Sequence, residues 1–375
     1  MKYDFSNMKG KAKELYTKMW GGTEFCSDDF ITNKNWTGEM TNASFYIKTP
    51  NVSQFVTGDV RDLIAEDLAS KFDIACENKD LFKTKLNQAC SGSGQEALKI
   101  TTMHSSSLCA LLFFYNVCED NELVLSLGNG ASKKTYVFNQ SFFEFQNVVI
   151  KGRQPSNMDV VLVGYEKEDE TKPVVLFLES KFSEYYAEPK AKMDIADSYL
   201  KNQYGKVIYK NKLQKIDYKI DDTITPESKF RLMAPVATYM EGIKQMISHY
   251  IGVRNLLTGE VVKKRADEKE YNKVVALVEK GATVLLGSVI FNDLFEEVED
   301  KKKYYGAYEG AHIELAKILN EVSKGDKGVA GTDRLTVLEV PLTYTEIFDK
   351  EKIGEAKKGF KLDEKVKRYY FHEEE

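Results

Sequence analysis

The chain has 375 residues, 42% of them hydrophobic and 12% aromatic, enough to bury one large core or two modest ones. A formal net charge of −5 argues against a protein that coats nucleic acid through bulk charge, while leaving room for local basic patches. Five cysteines (Cys26, Cys76, Cys90, Cys109 and Cys118) with no CxxC pair point away from a disulfide scaffold and toward a reducing, cytoplasmic setting.

The opening stretch, MKYDFSNMKGKAKELYTKMW, is charged throughout and lacks the apolar run of a secretory signal. The N-x-S/T matches at Asn35, Asn42, Asn51 and Asn139 therefore carry no weight. Lys9–Trp20 reads as a helix stopped by Gly21-Gly22, and a second helix is expected over Asp59–Phe72. Ser91-Gly92-Ser93-Gly94 breaks the pattern, which sets residues 1–94 apart as an N-terminal extension.

From Gln95 to Val117 the pattern is helical, and HSSSLCALLFFYNV is apolar on nearly every side, so it must be buried. Cys109 and Cys118 read there as buried thiols. The run Leu108–Tyr115 is too short to span a bilayer, and no membrane segment is expected. Two strand runs, NELVLSLG and TYVFNQSFFEFQNVVIK, flank Gly128-Asn129-Gly130, a tight-turn signal preferred over a weak phosphate loop. A hairpin follows, Met158–Tyr165 and Pro173–Lys181 joined by the charged connector EKEDETK. The lysine-rich excursion Ala187–Lys229 reads as a solvated face, with a phosphate-contacting arm as the alternative. Leu232–Leu257 is a strong helix, ATVLLGSVIFNDL a buried strand, Gly310–Val322 an amphipathic helix and LTVLEVPLTYTEIF a last strand before a polar tail from Lys350. The order predicts an α/β fold, a central mixed sheet flanked by helices, with its core over 95–295 and a C-terminal helix, strand and tail over 296–375.

The chemistry concentrates in the hairpin. If the turn is centred on Asp169, Asp159 and Glu179 face each other across the antiparallel pair with Cβ atoms about 4.5–5.5 Å apart. Lys181, two residues on, shares the face of Glu179. Opposed carboxylates destabilise a sheet unless a cation joins them, and hard divalent ions use one or two carboxylates together with substrate phosphates. The carbonyl of Ser180 would add a main-chain oxygen, and Lys181 would hold the attacking water and neutralise charge on a phosphate. The bland alternative is an ordinary surface ion pair at a strand end, and a one-residue slip of register would produce it. His104, His249, His312 and His372 show no zinc spacing, and His104 and His249 read as satisfied buried residues in core helices. Against that plain packing, Gln245, His249 and Tyr250 on one helix are also placed to face a substrate groove.

Pro155…Asp159 followed by Glu179-Ser180-Lys181 resembles the PD-(D/E)XK nuclease superfamily in its E-x-K form. The likeness takes in FFEFQNVVIKGRQPSNMD, ESKFSEYY and the GIKQMISHYIGVRN helix, and it covers roughly Gln95 to Asp293, about half the chain. Ser-Asn-Met separates Pro155 from Asp159, where the superfamily's name places the proline next to the acid. The resemblance implies a restriction-endonuclease-like core and a bacterial, defence-related endonuclease cutting DNA with Mg²⁺ or Mn²⁺. It also implies Asp159 and Glu179 as metal ligands, Lys181 as catalytic lysine, a third acid upstream and a helix glutamine. Glu144 is the first candidate for the acid and Gln245 for the glutamine. Folding the chain back through KGRQPSN in a simple hairpin sets Ile150, not Glu144, nearest Asp159, so either that connection is irregular or Glu96 is the third acid. Glu184 is a further neighbour or a solvent-facing strand residue. Lys151, Arg153, Lys210, Lys212 and Lys215 are the expected phosphate contacts, and a homodimer would present two such sites to the two strands. A nuclease fold without turnover, serving as a DNA-binding scaffold, is the competing expectation.

Overall fold

Runs such as VVLV and VVLFLESK, rich in β-branched and aromatic residues, are buried on both faces and form the centre of a mixed sheet. The computed structural model describes residues 30–32, 45–47, 58–91, 100–102, 105–149, 155–182, 192–195, 219–220, 230–233, 240–259, 269–292, 298–325, 331–348 and 360–371.

In chain order, β1 (Phe30–Thr32) and β2 (Phe45–Ile47) form an antiparallel pair, followed by helices α1 (Gly58–Lys71), α2 (Lys79–Ala89) and α3 (Ser106–Phe114). Then come β3 (Leu123–Leu127), β4 (Lys134–Asn147), β5 (Ser156–Glu166) and β6 (Asp169–Lys181). A small antiparallel sheet is made by β7 (Lys192–Ile195), β8 (Lys219–Ile220) and β9 (Phe230–Met233). The chain closes with α4 (Met240–Thr258), α5 (Lys269–Glu279), β10 (Thr283–Ile290), α6 (Val298–Gly325), β11 (Leu335–Val337), β12 (Leu342–Thr343), α7 (Tyr344–Phe348) and α8 (Glu364–Phe371).

The main sheet runs β11-β10-β6-β5-β4-β3, with β12 also on β10. β3 through β6 pair antiparallel, whereas β10 lies parallel to β6 and β11 parallel to β10. Strand alternation divides the core in two. Val160, Leu162, Leu176 and Leu178 pack with α1, α2, α3 and α8 on one side. Val161, Val163, Val175 and Phe177 pack with α4, α5 and α6 on the other. α3 is buried at every position from Leu108 to Phe114, and Ser105 caps it by accepting the Leu108 N–H at 3.0 Å.

Several expectations are corrected. The hairpin strands reach Glu166 and Asp169, so only Lys167–Glu168 remain as connector. Glu166 is buried because the Lys134 ammonium, 2.7 Å away, pairs with it. The helix over Leu232–Leu257 starts only at Met240, and Leu232 and Met233 lie in β9, as Pro235 between them would require of a chain that cannot continue a helix through it. LTVLEVPLTYTEIF is two short strands and a helix, since Pro341 lacks a ladder donor. The polar tail contains α8, whose Val366, Tyr369 and Tyr370 are buried. α1, Phe72 just after it and α2, within the expected extension, supply Ile64, Leu68, Phe72, Phe82 and Leu86 to the core. Cys109 is buried as expected, whereas Cys118 lies past the helix end and is half-buried. Among the described residues no helix is long and apolar enough to cross a membrane.

Candidate functional site

The β5–β6 ladder pairs Val160 with Leu178 and Val161 with Phe177, the register that sets Asp159 opposite Glu179. Regular pairing ends at that level. Instead the Asp159 carboxylate reaches across the gap, its Oδ2 accepting the Ser180 N–H at 2.7 Å. Ser180 is anchored on the other side of the strand, where its hydroxyl donates to the Ser106 carbonyl at 3.1 Å and lies 2.7 Å from the Tyr344 hydroxyl. These contacts fix the end of β6 against α3 and α7.

Glu179 is 4% exposed and both its oxygens are engaged. Lys181 Nζ donates to Oε1 at 2.7 Å, and His249 Nε2, on α4, stands 2.8 Å from Oε2. The far ring nitrogen of His249, Nδ1, is 2.6 Å from Ser156 Oγ at the start of β5. Burial would raise the Glu179 carboxyl, but Lys181 and His249 overcome it and pull it down to about 2. Asp159 moves the opposite way, well above the ordinary carboxylate range. Burial is the main cause and the charges of Glu179 and Glu144 add to it, against Lys181 and the Ser180 N–H.

Glu144 is brought to the same level. β4 pairs with β5 through Phe143–Val160 and Phe145–Met158, which places Glu144 opposite Asp159. Of the alternatives, the simple hairpin through KGRQPSN is not the one adopted, because the β4–β5 ladder already ends with Asn147 opposite Ser156. Glu144 is buried, accepts the Asn157 amide at 2.9 Å and has a φ of +50°. That is the left-handed region, costing a non-glycine residue about 1–3 kcal/mol. The pleat breaks here: Phe142 and Phe145 face the α4 side although they are three positions apart, which in a regular strand would put them on opposite faces, and on β5 the same is true of Met158 and Val161.

No family profile, curated protein or solved structure matches this chain. The site has to be judged on its own chemistry.

Among the described residues no group of three or more His, Cys, Asp or Glu side chains stands close enough to hold a metal ion unaided. The donor set nonetheless fits a hard divalent cation. Asp159 lies within reach of the charges of Glu179, Glu144 and Lys181, and carboxylate oxygens suit ions that complete their shell with water and phosphate. Some buried polar atoms on or next to the same group of elements have no hydrogen-bond partner. Ser288 on β10 is in register with Glu179 and its hydroxyl is one; the side-chain oxygens of Asn157, Gln245 and Asn292 are others. Orphan groups of this sort mark a place for water or ligand.

Gln245 is half-buried one helical turn before His249, on the same face of α4. Lys151, Arg153, Lys210, Lys212 and Lys215, together with Glu96, Glu184 and His104, lie outside the described residues. The sequence reading missed Ser156, Asn157 and Ser288 and favoured a packing role for His249. The four-residue spacing from Gln245 carried a signal for His249, whereas nothing local reveals which β10 residue abuts Glu179. A separate cleft of about 410 Å³, lined by Asn129, Asn320, Lys324, Asp333 and Glu339, shares no residue with this site. Its amides are committed to backbone, Asn129 to Val337 and Glu339 and Asn320 to both groups of Val337.

Proposed function

We propose that the chain is a metal-dependent endonuclease of the PD-(D/E)XK type that hydrolyses phosphodiester bonds in DNA. The observation that carries this reading is the meeting of Asp159, Glu179 and Lys181 at the open end of the β5–β6 hairpin. The element order supports it: α3, four antiparallel strands of the main sheet, α4, then β10 parallel to β6.

Asp159 and Glu179 would hold the ion, with Glu144 and the Ser180 carbonyl as further candidate oxygens. Bound there, a Mg²⁺ or Mn²⁺ ion supplies Lewis acidity and a more acidic water. Lys181 supplies the fixed positive charge of the site, positioned by Glu179 to face a scissile phosphate and its attacking water. Lys181 is itself buried, and a charge shielded from water acts more strongly than one in solvent.

Plasmid DNA incubated with the purified chain should be nicked or cut only with Mg²⁺ or Mn²⁺. Lys181→Ala and Asp159→Asn should each lower the rate on the order of 100-fold or more. A folded preparation that cleaves neither DNA nor RNA with either ion overturns the reading. The engagement of both Glu179 oxygens favours a second reading, a nuclease fold without turnover. It predicts DNA binding that is indifferent to metal and to Lys181.

A further inference from the structure

We infer that His249, held in turn by Ser156, is the positioning residue for Glu179, and that the Ser156–His249–Glu179 chain sets the orientation in which this carboxylate meets a metal ion. The inference rests on the metal-nuclease reading and adds to it a part drawn from α4 and the first residue of β5.

His249 is 2% exposed and both its ring nitrogens are used inside the protein. An ionised carboxylate only accepts hydrogen bonds, so Nε2 carries the proton given to Glu179 Oε2. Nδ1 is 2.6 Å from the Ser156 hydroxyl, which can donate to a bare ring nitrogen or accept from a protonated one. The ring is thus held from both ends. Glu179 in turn is gripped from two directions, by His249 at Oε2 and by Lys181 at Oε1. A glutamate's last torsion is broad and roughly two-fold, so a single anchor would leave the carboxylate plane free to swing. Two anchors on separate elements select one plane. The sheet alone does not do this: pairing of β6 with β10 fixes the Glu179 backbone opposite Ser288 but leaves that side-chain torsion open.

Packing alone does not account for the histidine. Ile247, Tyr250 and Ile251 around it on α4 already fill the core, and a further apolar side chain would need no partner at either nitrogen. Ser156 is also placed by register rather than by chance, since the β4–β5 ladder ends with it opposite Asn147.

The test is Mn²⁺ binding to the full chain, followed by electron paramagnetic resonance of the free ion, alongside the Mn²⁺ dependence of plasmid cleavage. Outer partners of metal ligands are typically worth about 10–100-fold in affinity, and His249→Ala should weaken Mn²⁺ binding by that factor. The Mn²⁺ concentration for half-maximal cleavage should move in parallel. His249→Gln keeps an amide N–H directed at Glu179 and should recover most of the loss. Ser156→Ala, which frees the ring at its other end, should weaken binding severalfold. If His249→Ala does not fold, His249→Gln and Ser156→Ala decide. Mn²⁺ affinity unchanged from wild type in the folded His249 variants and in Ser156→Ala, whatever their melting temperatures, overturns the inference while leaving the nuclease reading in place. A wild-type chain that neither binds Mn²⁺ nor cleaves overturns the nuclease reading and this inference with it.

Discussion

Glu144 is the residue at which sequence and structure part most sharply. Its side chain is buried beside two other carboxylates and its backbone sits at a φ of +50°, so neither electrostatics nor conformation favours it there. Strain of this kind persists only where the surroundings impose it. Two substitutions separate the backbone from the side chain. Glu144→Ala and Glu144→Gly both remove the carboxylate and its bond from Asn157, but only glycine is at ease with a positive φ. Chemical denaturation should therefore find Glu144→Gly more stable than Glu144→Ala by about 1 kcal/mol or more, the reverse of the usual order in a strand. Equal stabilities would show that the left-handed conformation is not maintained. The opposition of Asp159 and Glu179 was legible from a turn set near Asp169, although the turn lies at Lys167–Glu168 and a register shift between Tyr165 and Glu166 is what restores that pairing. That of Glu144 and Asp159 was not, since it depends on the length of the 148–155 connection and on one inverted torsion.

At the scale of elements, the long strands and the apolar α3 could be read directly, because period-two alternation and all-round burial leave a plain trace. α5 and α8 could not, being short and charged on their outer faces, with the apolar stripe reduced to Val274, Val275 and Val278 in one and Val366, Tyr369 and Tyr370 in the other. The β4–β5 ladder also hides a close approach. Its register shifts between Phe138 and Gln140, and there Gly164 lies so near β4 that a Cβ would fall 1.8 Å from the Val137 carbonyl oxygen. The neighbour is backbone, which cannot rotate away. Gly164→Ala should consequently destabilise the protein at or above the upper end of the ~1–3 kcal/mol usual for overpacking. Urea denaturation should show a lower midpoint with an unchanged slope. A variant as stable as the parent would mean that the two strands separate more easily here than their pairing indicates.

Across the whole molecule, the two cores are closed by the chain's outer parts. Tyr369 of α8 meets Phe72 after α1 edge-on at 5.2 Å, and the Asp363 carboxylate accepts the Tyr115 hydroxyl at 2.7 Å. On the sheet's far edge, α6 is tied down by His312, whose Nε2 donates to the Leu338 carbonyl at 3.1 Å, while the Leu338 N–H continues the sheet to Leu286 at 2.8 Å. His312 is 4% exposed, and burial lowers its pKa from 6.5 to about 4, only partly opposed by the Leu338 bond. A histidine depressed on folding takes up its proton more readily in the unfolded chain. The stability it contributes is complete above pH 6.5 and is lost as the pH falls toward 4. Between pH 7 and pH 5 this one group should remove roughly 2 kcal/mol from the unfolding free energy. His312→Gln retains an amide donor for Leu338 but does not titrate, so its stability should fall less over the same interval by about that amount. Urea unfolding of both proteins at pH 7 and pH 5 measures the difference directly, with the remaining groups cancelling between them. If the two curves shift equally, His312 is not buried as a neutral ring, and α6 is held to the sheet edge by its apolar residues alone.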